Sequence, residues 1–144
     1  MGDFSQNGII SNLHDFGTKT TIDIEKELLK FSKERKMELI LPSLYSELKG
    51  DALPNIVKQI GETKYLNHII IGLDKASKSE AIKAWKFFKK LNTPFTILWN
   101  DGPRLKKLHK ELKEKGLAPS ETGKGRNVWY CLGMCIARDE ARSV

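Results

Sequence analysis

The run His68–Leu73, read HIIIGL, is apolar almost throughout and too short for a typical helix. A segment with no polar position at period two fits a β-strand buried on both faces. Such a strand needs partners along its edges and a covering layer above and below. Two further short runs qualify as partners, Glu38–Leu41 and Phe95–Trp99. Each is followed by an amphipathic stretch. The first spans about Asp51 to Ile60, with Leu53, Ile56, Val57 and Ile60 expected inward. The second opens at Ser77, where Ser77 and Glu80 have capping-box spacing, and Ile82, Trp85, Phe88 and Leu91 are expected to build its core face. The third runs from Pro103 to Lys115, with proline at its start and Gly116 past its end.

Strands alternating with helices predict an α/β fold, with a mainly parallel sheet and right-handed crossovers. An additional helix is expected before the first strand, from Asp23 to Lys36 with Ile24, Leu28 and Phe31 on one face, and a last one from about Asn127 to Ala141. Residues 1–22 carry no sustained periodicity and read as an extended arm with turns at Asn7-Gly8 and Gly17. In open parallel sheets, ligands bind beyond the carboxyl ends of the strands. That rule selects Pro42–Glu47, Asp74–Ser79 and Asn100–Arg104.

After the first strand, Pro42 is expected to end the sheet's hydrogen bonding. The residues beyond it, Ser43, Leu44, Tyr45, Ser46 and Glu47, then offer hydroxyls, an aromatic edge and a carboxylate. Glu47 can accept from ribose hydroxyls or a base N–H, or cap the following turn. Asp74 has the same two readings, with its position at a strand end favouring a ligand. The loop Asn100–Arg104, NDGPR, reads first as turn chemistry. Glu121–Asn127, ETGKGRN, places Gly123 and Gly125 around Lys124, with Arg126 next and a helix following. Backbone amides, a helix N-terminus and two cations suit a diphosphate, although a surface loop has the same composition. Neither the GxxxxGK[ST] phosphate loop nor a GxGxxG after the first strand occurs.

The chain carries 25 basic against 18 acidic residues, a net charge of +7. Such a surplus favours anionic partners. The lysines of the second and third amphipathic stretches interleave with apolar residues, so they read as solvated helix faces more than as a nucleic-acid stripe. No apolar run approaches the roughly 20 residues that span a bilayer. Residues 1–7 lack a secretory pattern, and the expected location is cytoplasmic with no membrane partner. Cys131 and Cys135 lack the neighbours of a zinc site and read as buried free thiols.

Four motifs in this order, LPSLYSE, IIIGLD, LWNDGPR and GKGRNVWYCLG, together with the opening MGDFSQNGIISNLH, resemble the N-terminal half of bacterial glucosyl-3-phosphoglycerate synthases and related glycosyltransferases. The resemblance spans the chain. It implies a GT-A fold, of which residues 23–144 would be the nucleotide-sugar-binding part, a Rossmann-like half left incomplete. It also implies a retaining transfer of glucose from a nucleotide-glucose, UDP-glucose above all, to 3-phosphoglycerate. The uridine would be held by Pro42, Ser43, Leu44 and Glu47, with Asp74 as a further polar contact and Gly123, Lys124 and Gly125 at the diphosphate.

Members of this family hold Mg2+ or another divalent cation through an Asp-x-Asp pair. No Asp-x-Asp occurs in these 144 residues, so no tightly bound metal, no catalytic residue and no turnover by this chain alone are expected. The chain reads as an N-terminal piece of a longer enzyme, truncated before the Asp-x-Asp strand. The resemblance leaves a homodimer open. Two other classes stand beside this one, a non-catalytic nucleotide- or phosphate-binding module and a basic nucleic-acid-binding domain. The second lacks any RNA- or DNA-binding signature, so no nucleic-acid partner is expected.

Overall fold

The computed structural model describes residues 19–138; the expected arm over residues 1–18 and the expected helix end at Ala141 lie outside them. The described elements, in order, are α1 (Thr21–Glu34), β1 (Glu38–Leu44), a single 3-10 turn (Tyr45–Lys49), α2 (Ala52–Glu62), β2 (His68–Asp74), α3 (Lys78–Phe88), β3 (Phe95–Trp99), α4 (Pro103–Glu114) and α5 (Lys124–Arg138). The three strands form one parallel sheet in the order β1-β2-β3. Central β2 is buried along its whole length. This is a Rossmann-like α/β arrangement, with helices on both faces of the sheet.

Alternation along β2 assigns its side chains to two layers. Ile69, Ile71 and Leu73 join Leu53 and Val57 of α2 and Ala84 and Phe88 of α3 in the larger core. On the other face Ile70 packs with Cys131 and Cys135 of α5. Gly72 shares that second face, and its missing side chain is what lets α5 approach. A Cβ at Gly72 would stand 1.6 Å from Asn127 Oδ1 and 2.8 Å from Cys131 Sγ. In the native packing, Asn127 Nδ2 donates to the Gly72 carbonyl at 2.8 Å.

Five expectations change. β1 does not stop at Pro42 but continues to Leu44, with Pro42 in register with Gly72. As an edge strand of this sheet, β1 leaves one row of N–H groups without a ladder partner, so a proline there costs the sheet nothing. In α3, Ile82 and Trp85 are not core residues but 51% and 49% exposed. Small Ala81 and Ala84 face the sheet with Phe88 instead, because small side chains let the helix lie close to it. In α2, Ile56 is likewise exposed, while Leu53 and Val57 are buried and Ile60 packs against the core. α1 starts two residues earlier than expected, since Thr20 caps it by accepting from the Asp23 amide, and none of its residues is buried. α5 starts at Lys124 instead of Asn127.

Both cysteines are free and buried, as their spacing suggested. Burial pushes the Cys131 thiol up to about 12 and the Cys135 thiol to about 11, the latter with help from Glu38. Among the described residues, no helix is long and apolar enough to cross a membrane.

Two outcomes are expected. Gly72→Ala forces α5 off the sheet and destabilises the protein by about 3 kcal/mol, read as a lower urea midpoint; an unchanged midpoint would mean that α5 does not depend on this contact. The second concerns pH. The folded thiols keep their protons above the ordinary thiol value of about 8.5, whereas the unfolded chain releases them. The thiol contribution is therefore full below that pH and is lost as pH rises toward the folded values. The urea midpoint should fall between pH 9 and 10.5, and the Cys131→Ala, Cys135→Ala double variant should show a shallower fall.

Candidate functional site

The carboxyl ends of the strands are brought level by the register, with Leu44 opposite Asp74 and Leu73 opposite Trp99. Beyond that edge lies a cavity of about 480 Å³. Seven of the eight residues singled out in the sequence line it. Pro42, Ser43, Leu44 and Glu47 form one wall, Asp74 the floor, and Gly123 and Lys124 the opposite wall. Gly125 does not line it; one position on along α5, it is turned to solvent.

The wall after β1 is built by local hydrogen bonding. Glu47 Oε2 accepts from the Leu44 amide at 2.8 Å, which closes the 3-10 turn. Glu47 thus caps its own turn while still lining the cavity. Ser43 is only 2% exposed, and its hydroxyl has no hydrogen-bond partner among the described residues. A buried hydroxyl left in this state is costly unless something polar meets it.

The floor is set by β2 and its neighbour loop. Asp74 ends β2 on the same face as Gly72, which brings it beside α5. Lys75 follows with φ 53, a left-handed conformation that is uncommon for a residue with a side chain. It is held there from the next residue. The Ala76 amide donates to Asp101 Oδ2 at 3.0 Å, and the Ala76 carbonyl accepts from Trp99 Nε1 at 2.7 Å. Over-determination of this kind is how strained backbone persists, and strain tends to cluster at functional sites.

The opposite wall is the first turn of α5. Gly123 has φ 146, open to glycine alone, and its carbonyl accepts the Asn127 amide at 3.1 Å. The first amides of a helix have no intrahelical partner and carry partial positive charge. Here that helix end borders the cavity, with Lys124 and Arg126 in its lining. Arg126 Nη2 stands 3.8 Å from Asp74 Oδ1, both side chains being largely buried.

Lys75, Asp101, Thr122, Arg126 and Asn127 complete the lining. Arg126 is the second cation of the ETGKGRN segment, whose composition suits a diphosphate. Thr122 and Asn127 belong to the same segment with no role of their own in it, and Asp101 reads from the sequence as turn chemistry. Nothing in the sequence marks Lys75, because its backbone conformation is imposed by Trp99 and Asp101 from the next strand and loop.

The divalent cation implied by the resemblance does not fit these residues. Among the described residues no group of three or more His, Cys, Asp or Glu side chains converges. Asp74 and Asp101, two carboxylates of the lining, are engaged with Arg126 and with the Ala76 amide.

Fold and site together define a Rossmann-like α/β unit with a cation-lined cavity at the carboxyl edge of its sheet. Comparison with known proteins narrows the class. The chain is 41% identical, over 144 residues, to the glucosyl-3-phosphoglycerate synthase of Persephonella marina, an alignment covering 100% of this chain and 36% of that protein. It is 33% identical over 143 residues to the glucosyl-3-phosphoglycerate synthase of Methanococcoides burtonii, covering 96% and 34% respectively. The chain is therefore similar to glucosyl-3-phosphoglycerate synthases along essentially its whole length, and spans about a third of the length of these curated relatives. No family model and no solved structure matches it.

Asp101→Ala should release the Ala76 amide, at a cost of about 1–2 kcal/mol. Amide exchange at Lys75 and Ala76 should accelerate while the centre of β2 stays protected. Unchanged exchange would show that the Trp99 bond holds the loop by itself.

Proposed function

We propose that this chain is the donor-binding part of a retaining glycosyltransferase of the GT-A type. In the complete enzyme, glucose would pass from UDP-glucose to 3-phosphoglycerate, giving glucosyl-3-phosphoglycerate. The observation that carries this reading is the convergence of four separated segments on one cavity at the sheet's carboxyl edge. The elements from α1 to α5 make up the nucleotide-sugar-binding subdomain, and the protein resides in the cytoplasm.

The division of labour follows from the walls. Glu47 and Asp74 are the acceptors in reach of a nucleoside, so they orient the uridine, with Pro42, Ser43 and Leu44 shaping its side of the cavity. Lys124 and the first amides of α5 receive the diphosphate, since a helix N-terminus favours negative charge. With no metal-ligand cluster among its described residues, this chain binds the donor and does not turn it over. In the complete enzyme a divalent cation would supply the remaining charge compensation for the departing diphosphate.

Titration calorimetry of the 144-residue chain against UDP, UDP-glucose, GDP and ATP, with magnesium or with EDTA, tests the reading. Uridine nucleotides should bind selectively, with little dependence on magnesium. Lys124→Ala should weaken UDP by about tenfold and uridine much less. Equal binding of all four nucleotides with a steep loss in salt would point to non-specific attraction by the net charge instead.

A further inference from the structure

The cavity holds a cation whose position in the ligand-free protein is incompletely used. Arg126 lies in the first turn of α5, and its side chain is only 16% exposed. Its nearest anionic neighbour is Asp74, at 3.8 Å. That is too long for a hydrogen bond; charge-assisted pairs with arginine normally close to about 2.7–2.9 Å and often engage two donors. Arg126 Nε is buried and has no hydrogen-bond partner. That nitrogen has lost water without gaining a directed bond, a state that costs free energy until an acceptor reaches it.

The lining places an anionic acceptor in the cavity. Arg126 and Asp74 both border it, and Lys124, in the same first turn of α5, adds a second cation. The N-terminal end of a helix favours negative charge as well. Asp74, for its part, is the one carboxylate among the described residues within 4 Å of Arg126.

Resting on the nucleotide reading above, we propose that Arg126 is a phosphate-selecting residue held in reserve by Asp74. When a nucleoside diphosphate enters, the guanidinium exchanges Asp74 for phosphate oxygens. The released carboxylate becomes free to accept from the nucleoside. The arginine thereby supplies positive charge to the diphosphate from the protein itself, in a chain that offers no metal-ligand cluster among its described residues. No covalent bond changes in this exchange. It is specific for the phosphates: affinity for a nucleoside diphosphate depends on Arg126, and affinity for the bare nucleoside does not.

The test measures UDP, UMP and uridine affinities in EDTA for the unaltered chain, Arg126→Gln and Arg126→Lys, with thermal unfolding of each. Arg126→Gln should weaken UDP by about tenfold or more and leave uridine within about twofold, with UMP between them. Arg126→Lys keeps the charge but not the planar fork, and should recover part of the UDP affinity. Equal losses for UDP and uridine, or no loss for either, would overturn the exchange while the nucleotide reading stands. Failure of the unaltered chain to bind UDP would overturn both. A variant with lowered thermal stability but an unchanged UDP-to-uridine ratio would reduce Arg126 to a structural partner of Asp74.

Discussion

The contact between Asn127 and Gly72 is the constraint on which the rest of the molecule depends. A helix can lie this close to a central strand only where the strand has no side chain, and at Gly72 even a methyl group would overlap Asn127. The Asn127 amide uses the space to donate to the Gly72 carbonyl, and its oxygen faces Cys131 Sγ at 3.6 Å. Buried and dry, this polar pair is satisfied, so it rigidifies instead of destabilising. It also places the helix end. With Asn127 anchored on the strand, Lys124 and Arg126 are carried to the rim of the sheet, beside Asp74.

The second constraint works on the other side of the cavity. Ala76 has both backbone groups engaged by the β3 end and its loop, through Trp99 and Asp101. That engagement turns the chain sharply after β2 and keeps Lys75 in a conformation it would not choose alone. The cavity is thus shaped before any ligand arrives: one wall closed by the Glu47 cap, one anchored through Asn127, and a floor whose exit loop is tied at a single alanine. Preorganisation of this kind lowers the ordering cost of binding.

Much of this was legible in the sequence where local physics decides. The three strands follow from short apolar runs, and the start of α3 from the Ser77–Glu80 capping box. Errors arose where two local solutions had equal standing. In α3, the stripe through Ile82 and Trp85 is the more hydrophobic, yet the stripe through Ala81, Ala84 and Phe88 faces the sheet. Small side chains let a helix sit close to a sheet, and Lys89 lies over the outward Trp85 ring at 5.4 Å. At Pro42 the bar on proline in sheets does not hold, because β1 is an edge strand, a position that only the strand order decides.

By itself, then, the sequence determined the parallel α/β class, the strands, and most of the residues that reach the cavity, because alternation, caps and strand-end positions are local properties. The tertiary structure decided which side chains meet. Glu47 turned out to be both a cap and a lining residue. Arg126 became the partner of Asp74, a residue 52 positions away along the chain. Lys75 acquired its strained backbone from Trp99 and Asp101. Each of these depends on distance between segments that are remote in sequence, and such distances are set only when the helices have packed on the sheet.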